Sequence, residues 1–142
     1  MRWLWLPIYV VTAFLAVEAS VEGDLGAGIA YVVVGTVLTW WLSPWQGGTR
    51  WSRHADVVRR PPGERRVVVY WRPGCVYCAR LRGRLGRAGR RALWVNIWQD
   101  REAAAYVRSV NQGNETVPTV VLDDLPVTNP DPAVVLARLT DR

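Results

Sequence analysis

Two long apolar runs open the chain, and both predict helices. The run from Leu25 to Leu42 contains no charged residue. As a helix it would extend about 27 Å at about 1.5 Å per residue, close to the hydrocarbon thickness of a bilayer. The run from Trp3 to Val17 is shorter and contains Pro7, which is tolerated because it falls in the first turns of a helix. The pattern predicts a hairpin of two transmembrane helices over residues 1–45.

The first run has a second interpretation as a signal peptide. Arg2 precedes the apolar stretch, and small residues lead to a potential cleavage site near Ser20. Trp3 and Trp5 favour a retained helix instead, because tryptophans at this position are typical of the aromatic belt at a membrane surface. We therefore expect the first run to be kept as a membrane helix.

Charge around the two runs predicts the orientation of the chain. Arg2 lies before the first run, acidic residues fill the loop between the runs, and six arginines follow the second run by residue 66. Positive charge is retained on the cytoplasmic side, so we expect a multi-pass protein of the cell membrane whose C-terminal part faces the cytoplasm. Residues 46–65, rich in glycine, proline and arginine, are predicted to form a basic linker that either contacts anionic lipid or is a solvated tether.

Residues 66–142 are predicted to form an α/β domain, because short β-branched runs alternate with segments of helical spacing. The predicted strands are 66–71, 93–98, 119–122 and 125–127, and the predicted helices are 76–91, 100–110 and 132–140. The order βαβαββα indicates a mixed sheet with helices packed on it. Asp100 is a plausible N-cap for the second of these helices.

The amino-acid composition bears on two classes of protein, disordered proteins and nucleic-acid-binding proteins. Hydrophobic residues make up 50% of the chain and charged residues 21%, which excludes a disordered protein. The net charge is +6 and all 18 basic residues are arginine, yet the sequence has no nucleic-acid motif. We therefore expect no nucleic-acid partner.

The two cysteines of the chain, Cys75 and Cys78, lie where a predicted strand meets a predicted helix. Their three-residue spacing permits a disulfide in the first helical turn. The positive end of the helix favours a thiolate at Cys75, which makes it the candidate nucleophile, and Cys78 the candidate resolving thiol. The chain has no second cysteine pair and only one histidine, His54, so no structural zinc site within one chain is expected.

Three motifs between Val67 and Leu139 carry a family resemblance: YWRPGCVYC at 70–78, TVP at 116–118 and TNP at 128–130. Together they resemble the glutaredoxin branch of the thioredoxin-fold superfamily, and especially the actinobacterial mycoredoxins. The resemblance implies a thioredoxin fold with a mixed four-stranded sheet. It also implies a thiol-disulfide oxidoreductase in electron transport that uses no organic or metal cofactor.

The same resemblance implies where substrates bind. Val117 and Pro118 would be joined by a cis peptide bond that brings the Val117 backbone beside Cys75. Arg72 occupies the position where glutaredoxins often carry a lysine that holds a carboxylate of the thiol. Tyr77 would flank the nucleophile at the surface.

Thr128 and Asn129 stand where glutathione-using members usually have a Gly-Gly pair followed by an acidic residue. This difference favours mycothiol over glutathione as the low-molecular-weight thiol. Capping of the last helix is an equally good interpretation of both residues. The protein partners implied by the family are thiolated or disulfide-containing proteins, and membrane lipid is the remaining expected partner.

Two other functions stay open on the sequence. Cysteines from two chains could hold an iron-sulfur cluster, which would make the protein a cluster carrier or sensor. Alternatively, the redoxin domain could be a non-catalytic membrane adaptor, in which case Cys75 would be unreactive.

Overall fold

The computed structural model describes residues 5–43 and 52–141. The chain divides into two compact units, Met1–Gln46 and Gly47–Arg142. The first is a pair of helices and the second contains the sheet. Trp3 of the predicted aromatic belt and residues 46–51 of the predicted linker lie outside the described residues.

The first unit is a helical hairpin. Helix α1 covers Trp5–Val21 and helix α2 covers Leu25–Leu42. Gly23 in the connecting turn has a φ of +86°, a conformation that glycine adopts without strain, and the Asp24 carboxylate caps α2 by accepting the Ala27 N–H at 3.0 Å. Helix α2 has the predicted bounds, whereas α1 continues four residues beyond the predicted end at Val17.

Small residues let α1 and α2 approach closely. Ala16 and Ala19 of α1 and Gly28 and Gly35 of α2 are the buried residues of these helices. A Cβ atom added at Gly35 would overlap the Thr12 side chain. Within the described residues, α2 is the one helix long and apolar enough to cross a membrane, while α1 is an apolar helix of 17 residues.

The second unit is built on a mixed four-stranded sheet in the order β2-β1-β3-β4. Its strands are β1 (Val67–Trp71), β2 (Leu93–Asn96), β3 (Thr119–Leu122) and β4 (Leu125–Thr128). Strand β1 is parallel to β2 and antiparallel to β3, and β3 is antiparallel to β4. The predicted mixed sheet is confirmed, and with its helices it forms a thioredoxin-like α/β fold.

Three further helices pack around this sheet: α4 (Val76–Leu85), α5 (Arg101–Val110) and α6 (Pro132–Thr140). Helix α5 is capped as predicted, because the Asp100 carboxylate accepts the N–H groups of Glu102 and Ala103.

The predicted helix over 76–91 is too long. Helix α4 ends at Leu85 because Gly86 takes a φ of +51°, and a 3₁₀ turn, Ala88–Arg91, follows.

Valines form the centre of the core, with one fully buried valine from each of three strands and two helices. These residues are Val69, Val95, Val107, Val120 and Val135. The β-branched side chains suit the pleated sheet, and their burial removes apolar surface from water.

Three buried tryptophans complete the core. Trp71, Trp94 and Trp98 are packing residues. The guanidinium of Arg82 lies 4.8 Å from the ring centre of Trp71 and 4.5 Å from that of Trp94, so α4 is also held by cation–π contacts. Burial lowers the pKa of Arg82 from its ordinary value.

Residues 52–65, which the sequence analysis assigns to the linker, pack against the sheet-containing unit. Helix α3 (His54–Val58) places Val57 in the core. The His54 N–H donates to the Asp100 carboxylate at 2.7 Å, and His54 Nδ1 lies 2.8 Å from the Tyr70 hydroxyl. Burial, followed by the neighbouring Tyr106, raises the pKa of Tyr70. Residues 52–65 of the predicted linker therefore belong to this domain.

Candidate active site

A tight turn positions the cysteine pair at the carboxyl end of β1. Strand β1 stops at Trp71, and Gly74 takes a φ of +70°, which favours glycine. Cys75 is then the N-cap of α4. The turn thereby brings Cys75 to the positive end of the helix dipole, as the sequence predicts.

Cys75 and Cys78 form a disulfide with their Cα atoms 5.3 Å apart. Cys75 is half-buried and Cys78 is only 3% exposed. The Cys78 N–H donates to Cys75 Sγ at 3.1 Å. The outer sulfur is thus accessible to a substrate and already has a backbone donor that would stabilise its thiolate.

The Val117–Pro118 peptide bond is cis, as the family resemblance implies. The Val117 carbonyl oxygen lies 3.5 Å from Cys75 Sγ. The Pro118 carbonyl accepts the Asn129 N–H at 2.8 Å, and Asn129 has a φ of +47°. The TVP and TNP motifs therefore meet beside the cysteine pair.

A groove with a volume of about 560 Å³ runs beside the cysteine pair, between α4 and the start of α6. Tyr77 and Asn129, both predicted site residues, line it. Arg80 and Arg84 extend it along α4, and Asp131 lies at the start of α6. The structure thus brings Tyr77 and Asn129 together on one surface next to Cys75.

Two predicted binding residues, Arg72 and Thr128, do not line this groove. Arg72 follows β1 directly and is half-buried, but it does not line the groove. The Thr128 hydroxyl donates to the Asn111 side-chain oxygen at the end of α5. The capping interpretation of Thr128 and Asn129 is wrong, because Asp131 is the N-cap of α6 and accepts the Ala133 N–H at 2.8 Å.

Comparison with known proteins agrees with this geometry. The family model for glutaredoxin matches residues 67–127, which include the cysteine pair, β1, β2, β3 and all of β4 except its last residue. Mycoredoxin 1 of Corynebacterium glutamicum is 39% identical over 74 residues, covering 51% of this chain and 91% of that protein. The chain belongs to the glutaredoxin family. A glutaredoxin-like protein of Mycobacterium tuberculosis is 44% identical over 75 residues, covering 51% of this chain and 88% of that relative.

This glutaredoxin is accordingly a thiol-disulfide oxidoreductase of the glutaredoxin type, similar to actinobacterial mycoredoxins. Its family implies a low-molecular-weight thiol and protein disulfides as reactants. The helical hairpin and α3 lie outside the matched residues.

Sequence reasoning missed Asn111, which connects three elements of this glutaredoxin. Its Nδ2 donates to the Val107 carbonyl at 2.8 Å and to Thr119 Oγ1 at 3.0 Å, while its Oδ1 accepts the Thr128 hydroxyl. No local pattern indicates such a role, because Thr119 and Thr128 belong to strands that come 8 and 17 residues later in the chain. The cap at Asp131 did have a signal, since a proline follows it at the first helical position.

Within residues 5–43 and 52–141, no group of three or more His, Cys, Asp or Glu side chains is arranged to bind a metal ion. His54 is engaged by Tyr70 and Asp100, as described above.

Proposed function

We propose that this glutaredoxin is anchored in the cell membrane and reduces mixed disulfides between proteins and a low-molecular-weight thiol, with mycothiol favoured over glutathione. One observation carries the chemistry: the half-buried Cys75 Sγ accepts the Cys78 N–H at 3.1 Å and lies beside the Val117 carbonyl. This arrangement suits a thiolate nucleophile that meets an extended substrate.

In the first step, the Cys75 thiolate attacks the sulfur of the small thiol in the mixed disulfide. A bond forms between Cys75 Sγ and that sulfur, the S–S bond to the sulfur of the protein cysteine breaks, and the protein thiolate leaves and takes a proton from water. A second thiolate of the same small thiol then attacks the adduct and releases the small-thiol disulfide. Alternatively, Cys78 attacks, which releases the small thiol and leaves the Cys75–Cys78 disulfide for two further small thiols to reduce.

The thiol site is proposed to comprise Tyr77, Val117, Pro118 and Asn129, with Arg72 and Thr128 at its edges. Tyr77 and Asn129 line one groove, and the Val117 carbonyl lies next to Cys75 Sγ. The name of the Corynebacterium relative and the TNP motif support mycothiol. The reaction needs no organic or metal cofactor, because each step replaces one S–S bond with another and the small thiol supplies the electrons.

Membrane anchoring is proposed from the helical hairpin. Helix α2 has the length and composition of a spanning helix, and α1 would return the chain as the second span. The acidic loop and the arginines that follow α2 favour a cytoplasmic redox domain. Lipid is therefore the proposed partner of the first unit.

Mass spectrometry of a Cys78→Ser variant tests the proposed chemistry. We expect the purified variant to carry the small thiol of its native cytoplasm on Cys75, and to reduce mycothiolated protein within about tenfold of the unmodified rate, since the attacking thiol remains. Cys75→Ser should carry no adduct and have no activity. Activity with glutathione mixed disulfides and none with mycothiol mixed disulfides would contradict the thiol assignment.

A further inference from the structure

The groove beside α4 carries two arginines, Arg80 and Arg84, in addition to the residues of the proposed thiol site. Between Glu64 and Asp100 the chain has nine arginines and no acidic residue. Arg80 and Arg84 are exposed, line the groove, and lie four residues apart, which puts them on the same face of α4. The groove therefore presents two cations on the face of α4 that carries Tyr77.

Among residues 5–43 and 52–141, no carboxylate forms an ion pair with either guanidinium. The ion pairs among the described residues use Arg65, Arg66, Arg108 and Arg138. Arg80 and Arg84 thus have no carboxylate partner in the part of the chain that the structure describes. The one carboxylate that lines the groove, Asp131, accepts the Ala133 N–H as the cap of α6.

Apolar side chains form the remaining wall of the groove. Leu81 lies between the two arginines in sequence and is 2% exposed, and Leu136 of α6 faces it across the groove. A surface with an apolar wall and two unpaired cations suits a peptide that carries acidic side chains.

We propose that this groove binds an acidic segment of the protein substrate and so selects which mixed disulfides are reduced. The inference rests on the proposed function, because it assigns the protein side of the same reaction. Tyr77 and Asn129 are shared with the proposed thiol site, whereas Arg80 and Arg84 lie beyond it along α4.

Helix geometry gives the spacing of the acidic residues. Arg80 and Arg84 are five and nine residues beyond Cys75, which corresponds to about 7.5 Å and 13.5 Å along the helix axis at about 1.5 Å per residue. An extended peptide advances about 3.3 Å per residue. Acidic side chains about two and four positions from the substrate cysteine would therefore reach the levels of Arg80 and Arg84 along the axis of α4, on the face that carries Tyr77.

The test uses the full chain in nanodiscs of zwitterionic lipid and peptides whose single cysteine is in a mixed disulfide with mycothiol. One peptide has glutamate at the second and fourth positions on both sides of the cysteine, a second has glutamine there, and a third has lysine. The measured quantity is the ratio of kcat/KM for the acidic peptide to that for the neutral peptide. This ratio cancels any change in the reactivity of Cys75.

We expect a ratio of about three to ten for the unmodified protein, as for two exposed ion pairs, and a smaller ratio at high salt. Arg80→Gln with Arg84→Gln should reduce the ratio to about one. Arg80→Glu with Arg84→Glu should reverse the preference in favour of the lysine peptide. The matched control, Arg87→Gln with Arg90→Gln, removes the same charge from exposed positions outside the groove and should keep the ratio.

A ratio near one for the unmodified protein would overturn the proposal, as would an equal loss in the control pair. An effect of the Arg80 and Arg84 substitutions seen only in anionic nanodiscs would also overturn it, because the arginines would then bind lipid headgroups. Failure of the proposed function has a different signature, namely no reduction of any of the three peptides.

Discussion

The backbone N–H of Cys78 points at Cys75 Sγ over 3.1 Å, and removing that donor should change how readily Cys75 ionises. Two substitutions at position 78 distinguish the effect of the Cys78 N–H from the effect of the Cys78 thiol. Cys78→Ala keeps the donor and makes Cys75 the only thiol in the chain, whereas Cys78→Pro also lacks the N–H. Proline is tolerated there because position 78 is in the first turn of α4.

The size of the effect follows from the hydrogen bond. A bond to a charged group contributes about 1.5–3 kcal/mol. Cys75 is half-buried, so solvent competes for the thiolate and the lower limit is appropriate. About 1.4 kcal/mol corresponds to a tenfold change in an ionisation equilibrium. We therefore expect about ten times more thiolate at neutral pH in Cys78→Ala than in Cys78→Pro.

Iodoacetamide alkylation of the full-length variants between pH 5 and 10 measures this difference, because only the thiolate reacts. The Cys78→Ala midpoint should lie below the ordinary cysteine value of about 8.5, and the Cys78→Pro midpoint should lie above that of Cys78→Ala. Circular dichroism checks that both variants are folded. Equal midpoints would refute the role of the N–H, and a Cys78→Ala midpoint at or above about 8.5 would contradict a catalytic thiolate.

Three further predictions concern the rest of the chain. In a cysteine-free background, Gly23→Cys should react with a membrane-impermeant maleimide on intact cells and Gly48→Cys should not; the reverse pattern would put the redox domain outside the cytoplasm. Gly35→Ala should lower the melting temperature of the protein in detergent, because overpacking costs about 1–3 kcal/mol. The control Gly26→Ala should have little effect, because its Cβ would meet one atom at 3.4 Å. Equal melting temperatures of the two variants would contradict close packing at Gly35. The hydrogen bond and charge of Arg138 lower the pKa of Asp123, so the stability from this pair is present above the unfolded-state pKa near 3.8 and is lost as the pH falls through the lower folded-state pKa. Arg138→Gln should therefore weaken the dependence of the unfolding free energy on acidic pH. An unchanged acid profile would show that the pair contributes nothing to stability.

Local sequence patterns predicted most of the fold of the redox domain. The strand at 119–122 and the helix at 132–140 match the structure, and the other strands and helix α5 differ only at their ends. Strands β1 and β3 are continuous runs of mostly β-branched residues, Pro118 directly precedes β3, and Asp100 caps α5. The active-site turn was predictable for the same reason, because Cys75, Cys78 and the start of α4 are neighbours in the chain.

Contacts between distant residues needed the tertiary structure. The helical pattern over 76–91 did not show that α4 ends at Leu85, because the Gly86 that follows fits both a weak helix and a positive φ. The composition of residues 46–65 indicated a basic linker that either contacts anionic lipid or is a solvated tether, yet His54 and Val57 pack on the domain through partners more than ten residues away.

The same division applies to the site. The sequence by itself predicted Cys75 as the candidate nucleophile and Cys78 as the candidate resolving thiol, and the family resemblance implied the proline beside them, since each belongs to a short motif. The sequence showed that residues 80–91 are rich in arginine. Only the tertiary structure decided that Arg80 and Arg84 line a groove with Tyr77 and Asn129, because that placement depends on how α4 and α6 pack across about fifty residues of intervening chain.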